Sequence, residues 1–179
     1  FVAAVLIGLL AVLNLPALAT GDFVDRNFDR DENLPDYWEE AAATLNAGDV
    51  DPADQRVLEI PGIQFASYRW GTTYDAPVSV GLLEPGVAAR EQIPFGSEPS
   101  ADLMIALDRR MQEGVFELEA LPAAARLLDA QTVLLRSDLA YERFLAPRPR
   151  TLWSQLTPTP AGLDDPVGFG EPLENAAGP

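Results

Sequence analysis

Residues 56–62, RVLEIPG, are a β-branched and aliphatic run closed by a Pro-Gly turn, the pattern of a short buried strand. The run that follows, IQFASYRW (63–70), reads as a second strand stopped by Gly71. Upstream, Leu34, Trp38, Ala41, Ala42 and Leu45 recur at helical spacing, with Asn33 as the expected N-cap, Pro35 in the first turn and Gly48 as the stop. Downstream, residues 76–98 look irregular, broken by Pro77, Pro85 and Pro94. A helix is then expected from Ser100 to Glu113, with Leu103, Met104, Leu107 and Met111 on one face and Gly114 ending it. Another, over Glu119–Ala130, turns Leu121, Ala124, Ala125 and Leu128 inward and runs into the strand TVLLR and a short helix, LAYERFL. This alternation predicts an α/β fold: a small, partly parallel sheet with flanking helices over residues 34–145.

The flanks differ in composition. Seven of the 16 prolines fall after Leu145, so residues 146–179 read as a Pro/Gly-rich linker or wrapping arm. Residues 1–18, FVAAVLIGLLAVLNLPAL, carry no charge and one amide, Asn14. About twenty apolar residues span a bilayer as a helix. Residues 1–19 are therefore expected to be a transmembrane helix, and residues 20–33 an acidic juxtamembrane linker. The run opens at Phe1 without a basic leader, which suggests the end of a longer membrane region. A signal peptide ending at Ala17-Leu18-Ala19 and a buried soluble helix are the competing readings. The first two place the polar portion on the extracytoplasmic side of the plasma membrane.

Charge and missing residue types exclude whole classes of function. The net charge is -16, and all 12 basic residues are arginine. An acidic chain is a poor partner for nucleic acid, whose phosphates are met by Lys and Arg. With no cysteine, thiolate metal sites, thiol nucleophiles and disulfides are absent; with no histidine, so is the usual base near neutral pH. Any chemistry must use carboxylates, arginines or hydroxyls.

Four groups of residues are candidates. Asp164-Asp165 is a carboxylate pair, but it sits in the Pro-Gly tail with nothing to fix its spacing, so a solvated turn is the simpler reading. Glu39-Glu40 are helix neighbours on different faces and most simply meet solvent. Asp25, Asn27, Asp29, Asp31, Asn33 and Asp36 match the 1-3-5-7-9-12 oxygen spacing of a calcium loop. Arg30 stands where that loop's sharp turn needs glycine, and Asp36 replaces the terminal Glu, which favours a charged linker over a Ca2+ site. Finally, Arg69-Trp70-Gly71-Thr72-Thr73-Tyr74-Asp75 sets aromatics beside Arg, Asp and two hydroxyls at an expected strand end. Flat rings pack on sugar C–H faces and short polar groups bond sugar hydroxyls, so Arg69, Trp70, Tyr74 and Asp75 are candidate substrate-binding residues. The alternative is that Trp70 fills the core and the rest forms a turn.

Taken in order, PDYWEEAAATLNAG, RVLEIPGIQFASYRWGTTYDAPV, AAREQIPFGS, DLMIALDRRMQEG and ARLLDAQTVLLRSDLAYERF resemble the actinobacterial α-(1→3)-arabinofuranosyltransferase family across residues 34–149. The resemblance implies part of a polytopic GT-C-type enzyme that uses a polyprenyl-phosphate arabinose donor, a carboxylate base and an arabinan acceptor of the cell wall. The base is expected in an early extracytoplasmic loop that this stretch does not include, so no catalytic residue is assigned here. Its partners would be the rest of its own membrane domain, the lipid-linked donor and the arabinan acceptor. Another class of function is a membrane-tethered, non-catalytic glycan-binding or scaffold module; a secreted binding protein would require cleavage after Ala19.

Overall fold

The structure, a computed structural model, describes residues 2–20, 33–48, 50–73, 76–90, 97–144 and 146–170, with backbone alone for residues 13–20, 64 and 143. The chain divides into two units, 1–32 and 33–179. In the first, α1 (Val2–Thr20) is a helix of 19 residues without a charged side chain. At 1.5 Å per residue it rises about 28 Å, just under the roughly 30 Å of a hydrocarbon core. Among the described residues no helix is long and apolar enough to cross a membrane; of the span expected at 1–19 the structure shows the apolar helix α1.

The second unit is α/β. Its sheet has three strands, β1 (Arg56–Ile60), β2 (Gly86–Ala88) and β3 (Thr132–Leu135), in the order β2-β1-β3 and parallel throughout. Val57, Leu58, Glu59 and Ile60 of the central strand are all buried, as a parallel strand covered on both faces requires. Leu58 and Ile60 meet Met104 and Met111 of α4 (Glu98–Glu113) and Leu121 and Ala125 of α5 (Ala120–Leu127) in one core cluster. Glu59 turns to the other face, where Ser79 of α3 (Ser79–Leu82) donates to it. On that side lies α2 (Asp36–Asn46), with Trp38, Ala41 and Ala42 buried.

Local chemistry explains the helix ends. The Ser97 hydroxyl accepts the Ser100 N–H at 3.4 Å and Pro99 sits in the first turn, so α4 begins two residues earlier than expected. Gly114, at φ 70°, closes it with a left-handed cap that a side chain would strain. In α2 the N-cap is Pro35, not Asn33, and no side chain caps the first turn. The irregular stretch 76–98 contains α3 and the edge strand β2, where Gly86 N–H meets the Gln55 carbonyl at 3.1 Å.

The second expected strand is absent. Residues 64–66 form a 3₁₀ turn in which Phe65 and Ala66 have left-handed φ of 59° and 40°. Beyond it only isolated antiparallel bridges form, Ser67 with Thr72 and Tyr68 with Leu139. The reversal lets Ile63, Ala66 and Tyr68 all enter a second core cluster, which an alternating strand would have split between two faces. The short helix α6 (Tyr141–Phe144) lies beside this cluster.

After α6 the chain keeps contributing to the core. In α7 (Pro149–Gln155), Leu152 is buried, and both it and Leu156 join the cluster of α4 and α5. Leu163 packs against the same cluster, and the chain then reaches α2, where a Cβ on Gly170 would come within 2.8 Å of Tyr37 Cβ.

Candidate functional site

The loops leaving β1 and β3 meet beyond the carboxyl ends of the parallel strands, the position at which open α/β sheets gather ligand-binding loops. Backbone bonds lock them together: Arg69 N–H to the Asp138 carbonyl at 2.7 Å and Ala140 N–H to the Ser67 carbonyl at 3.0 Å. Within this frame Asp138 is a buried hub. Its Oδ2 accepts the Tyr37 hydroxyl at 3.0 Å and the indole N–H groups of Trp38 and Trp70, both at 2.8 Å. Three donors on one carboxylate oxygen compensate its removal from water.

The rings around this hub are ordered. Tyr68 stacks on Trp70 at 4.7 Å between centroids and meets Trp38 edge-on at 5.9 Å. Burial pushes the Tyr68 hydroxyl above its ordinary range, against the opposing pull of Arg136. Burial and the neighbouring charge of Asp138 likewise push Tyr37 up. Tyr37 donates its hydroxyl to Asp138, and the Tyr68 hydroxyl oxygen accepts the Val78 N–H at 2.9 Å.

A second polar layer lies directly at the strand ends. Arg136, the first residue after β3, is fully buried with Glu59 of β1, Nη1 to Oε1 at 3.0 Å, and its Nε reaches the Pro61 carbonyl at 3.2 Å. Asp108, from α4, accepts the Gly62 N–H at 2.8 Å and pairs with Arg90 at 3.3 Å. Burial raises the Asp108 carboxyl, while Gly62 and Arg90 pull the other way. Gly62 is required by close approach: a Cβ there would lie 2.4 Å from Arg90 Cβ and 2.5 Å from Asp108 Oδ2. Each buried carboxylate thus has its own partners, and the layer is a brace between strands, loops and α4.

Of the expected binding residues, Arg69 is exposed, with its guanidinium 5.2 Å above the Tyr141 ring and 3.2 Å from Glu142 Oε1. Trp70 is half-buried, with one ring face on Tyr68 and its N–H given to Asp138. Tyr74 and Asp75 lie outside the described residues, as do Asp25, Asn27, Asp29 and Asp31. Among the described residues no three His, Cys, Asp or Glu side chains are grouped to hold a metal. Thr72 and Thr73 turn inward to the Phe65 and Ala76 carbonyls. Asp138 and Tyr37 were not anticipated from the sequence; the one local cue was an Asp just past a strand end. A shallow depression also runs along α4, lined by Ile105, Arg109 and Val115. It is formed by one helix and the loop after it, on the side away from buried Asp108, whereas several elements converge at the strand ends.

A family model described as "Alpha-(1->3)-arabinofuranosyltransferase, N-terminal GT-C domain" matches residues 1–178. The alpha-(1->3)-arabinofuranosyltransferase of Mycobacterium tuberculosis is 32% identical over 141 residues, which cover 78% of this chain and 10% of that protein. Its counterpart in Mycolicibacterium smegmatis is 29% identical over 143 residues, again 78% of this chain and 10% of the relative. Among solved structures, a cryo-electron microscopy structure of arabinofuranosyltransferase AftD from Mycobacteria matches with a TM-score of 0.61 and 25% identity, covering 79% of this chain and 11% of that one. A point-mutant form of the same enzyme matches with a TM-score of 0.68 and 26% identity, covering 94% of this chain and 14% of that one. The chain therefore spans about a tenth of the length of the curated relatives it matches.

Proposed function

The chain belongs to the alpha-(1->3)-arabinofuranosyltransferase family, within its N-terminal GT-C domain, and from that membership we propose that it is a module of a membrane arabinofuranosyltransferase. In this reading the parent protein transfers arabinofuranose from a polyprenyl-phosphate donor to cell-wall arabinan, and the polar unit lies on the extracytoplasmic side of the plasma membrane. The module itself holds acceptor glycan and leaves the chemistry to other parts of the protein. Its buried carboxylates favour this division of labour: Glu59, Asp108 and Asp138 are each enclosed and already bonded, so none is poised to take a proton from an incoming hydroxyl.

The observation that carries the reading is the convergence of the β1 and β3 loops at the strand ends, with exposed Arg69 beside half-buried Trp70. Arg69, Trp70, Tyr74 and Asp75 are the proposed acceptor contacts, the first and last as hydrogen-bonding groups and the rings as stacking surfaces. Binding of an α-linked arabinofuranosyl oligosaccharide by the full-length protein, followed by calorimetry, tests this. Asp75→Asn should weaken binding by about 1–3 kcal/mol with an unchanged melting temperature. Trp70→Ala should weaken binding and also destabilise the fold by roughly 2–4 kcal/mol, because it removes the Tyr68 stack and a donor to Asp138. Unchanged affinity in both variants would remove this segment from the acceptor site.

A further inference from the structure

Phe65 combines two features that seldom coincide. Its φ of 59° and ψ of 24° lie in the left-handed region, which bulky side chains avoid, and its ring is nonetheless 63% exposed. The turn that carries Ile63, Ala66 and Tyr68 into the second core cluster leaves the Phe65 ring outside it, turned to solvent. The loop holds this geometry through the Thr72 hydroxyl, which donates to the Phe65 carbonyl at 3.0 Å, and through the Thr73 N–H, which reaches the Ala66 carbonyl at 3.2 Å. Both threonines belong to the proposed acceptor segment.

The surroundings of the ring are mixed in character. Phe144 lies 6.0 Å away, centroid to centroid, tilted by 59°. The same short helix supplies Tyr141 and Glu142, which hold Arg69 by its hydroxyl at 3.2 Å and its carboxylate at 3.2 Å. Two tilted rings edged by a guanidinium, a phenol and a carboxylate suit a ligand with apolar C–H faces and a rim of hydroxyls. Arg69, Tyr141 and Glu142 answer one another and keep spare hydrogen-bonding capacity that a rim of hydroxyls can use and an apolar helix cannot. A phosphate-bearing lipid would meet an acidic chain of net charge -16.

We propose that Phe65 and Phe144, with Arg69, Tyr141 and Glu142 at their edge, form a stacking subsite for one neutral furanose unit of the glycan, next to the 69–75 segment. This rests on the glycan-binding reading above and adds to it residues on the 3₁₀ turn and on α6. The left-handed turn at Phe65 is the device that presents the ring.

The test uses the full-length protein in nanodiscs, with a linear α-linked arabinofuranosyl hexasaccharide as probe, and Phe65→Gly, Phe65→Trp and Asp75→Asn as variants. Glycine accepts the left-handed backbone without penalty, so Phe65→Gly should keep or raise the melting temperature while weakening binding roughly tenfold. Phe65→Trp retains a stacking face and should bind at least as well as the unaltered protein. A lowered melting temperature for Phe65→Gly with unchanged affinity overturns the subsite and makes the ring a packing contact with the rest of the protein. If Asp75→Asn weakens binding and Phe65→Gly does not, the subsite is wrong and the acceptor reading stands. Absence of binding by the unaltered protein defeats both.

Discussion

Asp108 shows how one buried carboxyl ties two elements together and what that costs. It reaches from α4 to the Gly62 N–H at 2.8 Å, at a point where any residue larger than glycine would collide with Arg90. Burial holds its carboxyl above the ordinary value of 3.8. The folded protein therefore binds this proton more tightly than the unfolded chain does. The associated stability is complete below the unfolded pKa and is lost as the pH rises through the folded one. Asp108→Asn keeps an acceptor for the Gly62 N–H but removes the titration. Relative to the unaltered protein, the variant should become progressively more stable as the pH rises through the acidic range above 3.8. Thermal midpoints of both proteins across that range read the effect, and a constant difference would contradict it. Asp138 follows a different logic: three uncharged donors surround it, so its role is to fix the orientation of Tyr37, Trp38 and Trp70.

At the level of elements, the sheet is small and depends on what covers it. β1 supplies Leu58 and Ile60 to one side and the Glu59–Arg136 pair to the other, so the same five-residue strand anchors an apolar and an ionic layer. Removing one member of such a buried pair would strand the other charge, whereas each is satisfied as it stands. On the apolar side α7 matters most for interpretation, because it comes from the proline-rich end of the chain. Leu152 is 2% exposed within the main cluster. Leu152→Ala should therefore destabilise the polar unit by about 2–5 kcal/mol, as for any buried leucine. Trp153→Ala, one residue on and 56% exposed, should change little. Denaturant titrations of the two variants separate a packed helix from a passive arm, and equal midpoints would favour the arm.

For the whole molecule, the proposed membrane orientation makes a direct prediction. Single cysteines at Ser79→Cys would be buried and silent, so an exposed position is needed; Thr157→Cys, in the described tail, is suited to it. In intact cells whose envelope admits the reagent, Thr157→Cys should react with a membrane-impermeant maleimide, and protection until lysis would place the polar unit on the inner side. Much of the architecture behind these predictions was legible beforehand. The helices α2, α4 and α5 and the strands β1 and β3 carry their signal in local periodicity, and α4 in its caps as well, which neighbouring residues impose whatever the rest of the chain does. β2 gave no such signal: Gly86-Val87-Ala88 is a strand because β1 offers it a hydrogen-bonding edge. IQFASYRW has strand composition, yet it bends at Phe65 and Ala66 so that Ile63, Ala66 and Tyr68 can share one core. The hub at Asp138 was beyond any local reading, since its donors Tyr37, Trp38 and Trp70 lie 101, 100 and 68 residues away along the chain. Periodicity is written into consecutive residues, but a carboxylate acquires its partners only when chain closure brings distant loops to the same edge of the sheet.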